Sequence, residues 1–152
     1  NQSCTVIGSG ATARSAIVAA REMGFSTVEL VARNSHAIAR CDSIATELGI
    51  SFIARDASES QWQGSDLVIN TTPAGVADTL FSPRDSVSGL LLDVVYHPWP
   101  TKIAAEWQSA GGLICPGYLM LLHQAAAQYE LFTGVQAPLA AMRTALVQAL
   151  SE

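Results

Sequence analysis

Between a strand-like apolar run at 4–8 and a stretch of small residues that opens at Ala11, the chain reads Gly8-Ser9-Gly10-Ala11-Thr12-Ala13. Two glycines at a strand-to-helix junction cost backbone entropy, so they need a physical reason. The spacing is G-x-G-x-x-A, and each small residue has a task in it. Gly8 permits the tight turn, Gly10 keeps a Cβ out of the path of a pyrophosphate, and Ala13 lets the helix lie close to the sheet. The free N–H groups of Ala11 and Thr12 sit at the positive end of the helix dipole and can donate to phosphate oxygens. Ser9 and Thr12 add hydroxyl donors. No G-K-[ST] follows, which excludes a P-loop. A tight turn without a ligand is the alternative.

A second chemical group stands at the end of the next strand-like run, in Val31-Ala32-Arg33-Asn34-Ser35. Chains that bind NAD place Asp or Glu here for the ribose 2′-hydroxyl. Glu29 is acidic but lies too early, inside the strand. Arg33 stands where the 2′-phosphate of NADP would lie, and an arginine–phosphate contact is charge-assisted and can be bidentate. Such a bond is worth about 1.5–3 kcal/mol, roughly a ten- to hundredfold preference for NADP. Asn34 and Ser35 can donate to the same phosphate from the following helix start. An ordinary surface arginine is the alternative. His36 and His97 stand alone, and no His/Cys/Asp spacing suggests a metal. The single lysine, Lys102, opens a helix and reads as solvated surface. Asp93 ends a strand and reads as a structural partner for the turn that follows it, so no catalytic residue is assigned to this chain.

The elements that must position these groups follow from the periodicity. Strands are read at 4–8, 26–33, 50–54, 66–72, 89–96 and 112–116, and apolar residues fill them nearly throughout. Helices alternate with them. The first carries Ala13, Ala16, Ile17, Ala20 and Met23 on one face and stops at Gly24. The second is capped by Asn34 or Ser35, buries Ile38, Cys41, Ile44, Ala45 and Leu48, and ends at Gly49. The stretch 55–65 reads as a loop with a helical turn near Trp62. Further helices are expected at 101–111, 118–132 and 138–150. Such alternation gives an α/β fold with a parallel sheet covered on both faces. Right-handed crossovers favour a Rossmann-type doubly wound sheet of about six strands in the order 3-2-1-4-5-6.

Composition sets the class. The 152 residues fit one domain, residues 1–152. Hydrophobic residues make up 49% and charged residues 14%, which argues against disorder and suggests an apolar surface that a partner covers. A net charge of −5 argues against nucleic-acid binding. No apolar run reaches membrane length, and no signal peptide is read in Asn1-Gln2-Ser3. The three cysteines, Cys4, Cys41 and Cys115, are odd in number and widely spaced, as reduced, buried thiols of a cytoplasmic protein would be.

Three further segments have a specificity that the glycine motif lacks: NTTPAG at 70–75, DVVYHPWPT at 93–101 and GYLMLLHQAAAQYELFTG at 117–134. With GSGATAR and VARNS in this order, the chain resembles the NADP-binding, C-terminal domain of shikimate dehydrogenase, and its variant is most similar to the actinobacterial form. The resemblance covers nearly the whole chain. It implies NADPH-dependent reduction of 3-dehydroshikimate to shikimate, in the synthesis of chorismate and the aromatic amino acids. It implies that Gly8, Ser9, Gly10, Ala11 and Thr12 cradle the pyrophosphate. Ala32, Arg33, Asn34, Ser35, His36 and Ala37 would surround the adenosine 2′-phosphate. The family has Asn where this chain has Ala32, which removes one side-chain contact to the adenosine. Thr71 and Thr72 would line the dinucleotide path. Val94, Gly117 and Met120 would meet the nicotinamide, and Tyr96 and Gln124 the substrate.

Bland alternatives stand beside these roles. Tyr96 can be a half-buried core phenol. Gln124 lies in an apolar helix, where a buried amide needs partners, and this favours a ligand. His123, turned about 100° from it on a helix, reads as surface or interdomain. Trp62, Trp99 and Trp107 read as packing. In the family a Lys and an Asp of a preceding substrate domain form the catalytic pair. The chain is therefore expected to be a fragment that binds cofactor and is inactive alone. Its closing helices, 117–152, would face the missing domain and leave Leu119, Leu122 and Tyr129 uncovered, with a dimer, a crystal contact or a shifted last helix as the consequence. The competing functions are an NAD-using quinate/shikimate dehydrogenase, a non-catalytic NADP-binding module, and another two-domain enzyme such as glutamyl-tRNA reductase or methylene-tetrahydrofolate dehydrogenase.

Overall fold

The computed structural model describes residues 2–60, 62–80 and 86–150. Gln61 of the expected 55–65 loop and the last two residues of the closing segment lie outside them. Six strands form one parallel sheet: β1 (Cys4–Ile7), β2 (Thr27–Val31), β3 (Ser51–Arg55), β4 (Leu67–Asn70), β5 (Leu90–Asp93) and β6 (Leu113–Pro116). Their order is β3-β2-β1-β4-β5-β6, the one expected from the alternating pattern. Val6 aligns with Leu30 on one side and Ile69 on the other, so β1 lies at the centre with both neighbours in step. The helices are α1 (Ala11–Glu22), α2 (Ser35–Glu47), α3 (Lys102–Ser109), α4 (Gly117–Thr133) and α5 (Leu139–Ala149).

Two apolar layers flank the sheet. In one, α1 and α2 lay Ala13, Ile17, Ala20, Cys41 and Ala45 on Val6, Val28, Leu30 and Ile69. The small residues of α1 let it approach closely, the task assigned to Ala13, which is fully buried. The other layer is built differently. No α-helix among the described residues joins β3 to β4 or β4 to β5; short 3-10 turns at Trp62–Gly64 and Ala77–Thr79 stand there instead, and the second was not foreseen. The bulk comes from two indoles. Trp62 and Trp107 stack with centroids 6.0 Å apart and planes 9° from parallel. Both are almost fully buried, each worth about 4–6 kcal/mol of apolar burial. The packing role read for them holds; Trp99 instead stays half-exposed with its edge against Tyr118.

Two expectations about burial are corrected. β3 is not covered on both faces: of its residues only Phe52 is even half-buried, because β3 is an edge strand beyond the reach of the second layer. Leu122 is not uncovered, because α4 lies against β6 and α5 and takes that side chain inward. Leu119 is half-buried rather than uncovered, and of the three residues expected to be bare Tyr129 alone is exposed. α5 buries no residue at all, and Tyr129, Leu131, Phe132 and Val135 are exposed, Phe132 to 86%.

The thiols are free, Cys4 and Cys41 buried and Cys115 half-buried. Burial pushes the Cys4 thiol up to about 12. Burial also raises those of Cys41, against a smaller pull from Arg14 and Arg40, and Cys115. Among the described residues no helix is long and apolar enough to cross a membrane.

Candidate functional site

The carboxyl ends of β1, β2 and β4 open into a cleft of about 570 Å³. This is the switch point of the sheet, where β1 is followed on one side by β2 and on the other by β4. Gly8, Ser9, Ala32, Arg33, Asn34 and Thr72 line it, all six singled out by the sequence.

The two glycines have different causes. Gly8 has φ of +102°, and a Cβ placed on it would stand 2.6 Å from the Thr71 hydroxyl oxygen. Its N–H donates to the Val31 carbonyl, which carries the β1–β2 ladder one residue into the loop. The fold itself demands glycine there. Gly10 has φ of −79°, and a Cβ on it would meet nothing within 4 Å. Nothing in the described protein needs a glycine at that position, but a group lying against the loop would. Gly10 is also the N-cap of α1 and provides no side-chain cap, whereas Asn34 caps α2 and Thr101 caps α3. Ala11 and Thr12 follow it, exposed at the open end of α1 beside the cleft lining.

Arg33 is exposed on the rim and makes no hydrogen bond or salt bridge among the described residues. Glu29, the acid that lies too early, is engaged elsewhere. It accepts from the Ser60 hydroxyl and pairs with Arg55 at 3.7 Å. Asn34 spends its Oδ1 on the Ala37 N–H at 3.0 Å and keeps its Nδ2 as a donor. Ser35 and His36 are exposed in the first turn of α2. Ala37 departs from expectation: its side chain is buried and its N–H is taken by the cap, because the face of α2 that meets the sheet includes position 37. Thr71 is also committed, its hydroxyl and N–H both donating to the Ile7 carbonyl, at 2.7 and 2.9 Å.

The β5–β6 side holds the other expected residues outside this cleft. Gly117 opens α4 so close to β5 that a Cβ would stand 2.4 Å from the Val94 carbonyl oxygen. Val94 and Met120 are half-buried. Tyr96 is 47% exposed, so it is no core phenol. Gln124 is exposed rather than buried, because the apolar face it shares is itself bare in this chain. His123 is at the surface, as expected, and so is Lys102, which pairs with Glu106 one turn on at 3.7 Å. Among the described residues no cluster could hold a metal ion.

The sequence reading missed Asp56, Ala57, Gly75, Val76, Thr79 and Leu80, which with the strand-end residues Ile7 and Val31 complete the cleft. Asp56 had a signal: it follows a strand whose carboxyl end adjoins the crevice, and Asp-Ala-Ser can form an Asx turn. That turn is present. Its carboxylate accepts from the Ser58 N–H and hydroxyl at 3.1 and 2.9 Å, which hold its pKa below the usual range, with a smaller contribution from the Arg33 charge.

The sheet order and the crevice at its switch point define a Rossmann-type doubly wound α/β domain. The Shikimate 5′-dehydrogenase C-terminal domain family matches residues 117–147. A shikimate dehydrogenase (NADP(+)) from Bartonella tribocorum is 31% identical over 99% of this chain and 55% of its own length. The shikimate dehydrogenase of Mycobacterium tuberculosis superposes with a TM-score of 0.87 at 38% identity, over 97% of this chain and 56% of that one. The Thermus thermophilus shikimate 5-dehydrogenase, solved in complex with NADP(H) and shikimate, superposes with a TM-score of 0.74 at 25% identity, over 96% and 54%. These likenesses in sequence and fold support a shikimate dehydrogenase C-terminal domain. The chain spans about half the length of the curated relatives it matches.

Proposed function

We propose that this chain is the NADP(H)-binding half of a shikimate dehydrogenase. The observation that carries the reading is the unpaired Arg33 guanidinium on the rim of a cleft that also borders an uncapped helix start. The residues fit the coenzyme. Gly8, Ser9 and Gly10, with the N–H groups of Ala11 and Thr12, would hold the pyrophosphate. Arg33, the Asn34 Nδ2 and the Ser35 hydroxyl would hold the 2′-phosphate. Thr72 would line the path between them, and Val94, Gly117 and Met120 would bound the nicotinamide half, with Tyr96 and Gln124 towards the substrate. His36 and Ala37 support the α2 start, Ala37 from the core side.

When bound, NADPH supplies a hydride for the carbonyl carbon of 3-dehydroshikimate. The carbonyl oxygen takes a proton and becomes the hydroxyl of shikimate. No residue of this chain is assigned that proton; its part is to bind and orient the coenzyme. The curated relatives carry nearly as much chain again, and the bare faces of α4 and α5 suit docking against such a portion or against a second copy.

One observation favours the alternative coenzyme. Asp56 lies across the same cleft and could accept from a ribose hydroxyl of NAD. Calorimetry on Arg33→Ala decides between them. NADP should bind roughly ten- to hundredfold more weakly, with NAD nearly unchanged. Equal losses for the two, or no binding by the folded wild-type chain, would overturn the proposal.

A further inference from the structure

Asp93 is fully buried, and no cation pairs with it among the described residues. A buried carboxylate is tolerated only when its oxygens are satisfied by hydrogen bonds. Here three donors meet it. Oδ1 accepts from the Asn70 Nδ2 at 2.9 Å and the Val95 N–H at 3.1 Å; Oδ2 accepts from the Thr101 hydroxyl at 2.6 Å. Each donor carries the connection outward. Asn70, also buried, turns its Oδ1 to the N–H and hydroxyl of Thr72, at 3.1 and 2.7 Å. Thr101 accepts from the Ala104 N–H and so caps α3. Val95 stands between Val94 and Tyr96. A single carboxylate thus joins the loop after β4, the turn after β5 and the start of α3.

These segments lie at the carboxyl ends of β4 and β5, where Asn70 aligns with Asp93. In a doubly wound sheet the first three strands serve one mononucleotide and the last three the other. The network therefore belongs to the half opposite Arg33. We infer that Asp93 is a positioning residue for the nicotinamide half of the site: through Asn70 it sets the Thr72 loop, and through Val95 it sets the Val94–Tyr96 turn. This rests on the coenzyme reading above. A neutral amide in its place can keep its oxygen for Asn70 and Val95, but it makes the Thr101 hydroxyl accept where it had donated and removes the charge that strengthens all three bonds, which loosens one wall of the crevice.

The test compares NADPH with adenosine 2′,5′-bisphosphate, which occupies only the adenosine half, on the same folded chain. Asp93→Asn should weaken NADPH about tenfold or more and leave the bisphosphate within twofold. Thr101→Val provides the second arm in case Asp93→Asn does not fold. It removes one donor to Asp93 from outside the cleft and should give the same split, about fivefold against none, while Thr101→Ser restores wild-type binding. A merely structural role would weaken both ligands alike or neither, and either result overturns the inference. Wild-type chain that binds both ligands while the variants bind unchanged overturns the positioning role alone; wild-type chain that binds neither overturns the coenzyme reading with it.

Discussion

Replacing each loop glycine by alanine separates a glycine that the protein needs from one that a ligand needs. At Gly8 the new Cβ meets the Thr71 hydroxyl oxygen at 2.6 Å and the Thr72 methyl at 3.2 Å, on a backbone with φ of +102°. The left-handed backbone costs about 1–2 kcal/mol. Thr71 can yield only by giving up its hydroxyl bond to Ile7, about 1 kcal/mol more. Gly8→Ala should therefore lose roughly 2–3 kcal/mol of stability in urea denaturation. At Gly10 neither cost arises, because φ is −79° and no atom lies within 4 Å of the new methyl. Alanine is a somewhat poorer N-cap than glycine, while its stiffer unfolded chain offsets part of that, so stability should stay within about 1 kcal/mol. Binding should behave in the opposite way. A methyl between the loop and a pyrophosphate displaces at least one charge-assisted hydrogen bond, about 1.5–3 kcal/mol, or roughly ten- to hundredfold in the Kd for NADPH. Denaturation and calorimetric titration on one preparation give both quantities. A folded Gly10→Ala chain that binds NADPH like the wild type would refute the pyrophosphate role of the loop.

Three other outcomes follow. Asp56→Asn removes a negative charge that shares the cleft with Arg33; NADP affinity should rise about two- to threefold in low salt and the gain should shrink at high salt, and weaker NADP binding by this variant would contradict the opposition between Asp56 and the phosphate. The Cys4 thiol has its pKa raised to about 12 from 9.0 by burial, so the folded state favours the neutral thiol; that contribution is complete below about pH 9 and lost as pH rises through 12. The urea midpoint should fall across this range more steeply for the wild type than for Cys4→Ala, and native Cys4 should resist alkylation at pH 8. Gly117→Ala forces a methyl to within 2.4–2.6 Å of the Val94 and Asp93 carbonyl groups; backbone cannot yield as a side chain does, and at least 2 kcal/mol of stability should be lost, with unchanged denaturation arguing against so close an approach of α4.

What the sequence determined by itself was local in its physics. Apolar alternation, glycine stops and the Asn34 cap act over one helical turn or one strand, so the six strands, five helices and their order were legible, and so were Gly8, Gly10 and Arg33 at the ends of β1 and β2. The family-like segment at 117–134 was legible because few sequences have cause to contain it. Tertiary structure alone decided the rest. It brought Asp56 and Thr79 from separate loops to one cleft, and it turned Ala37 inward while Gln124 stayed outside. It also buried Asp93 among three donors from three segments. These depend on helix rotation about its axis and on loops meeting across the sheet. No spacing along the chain encodes such contacts, because they are settled only when the two apolar layers close.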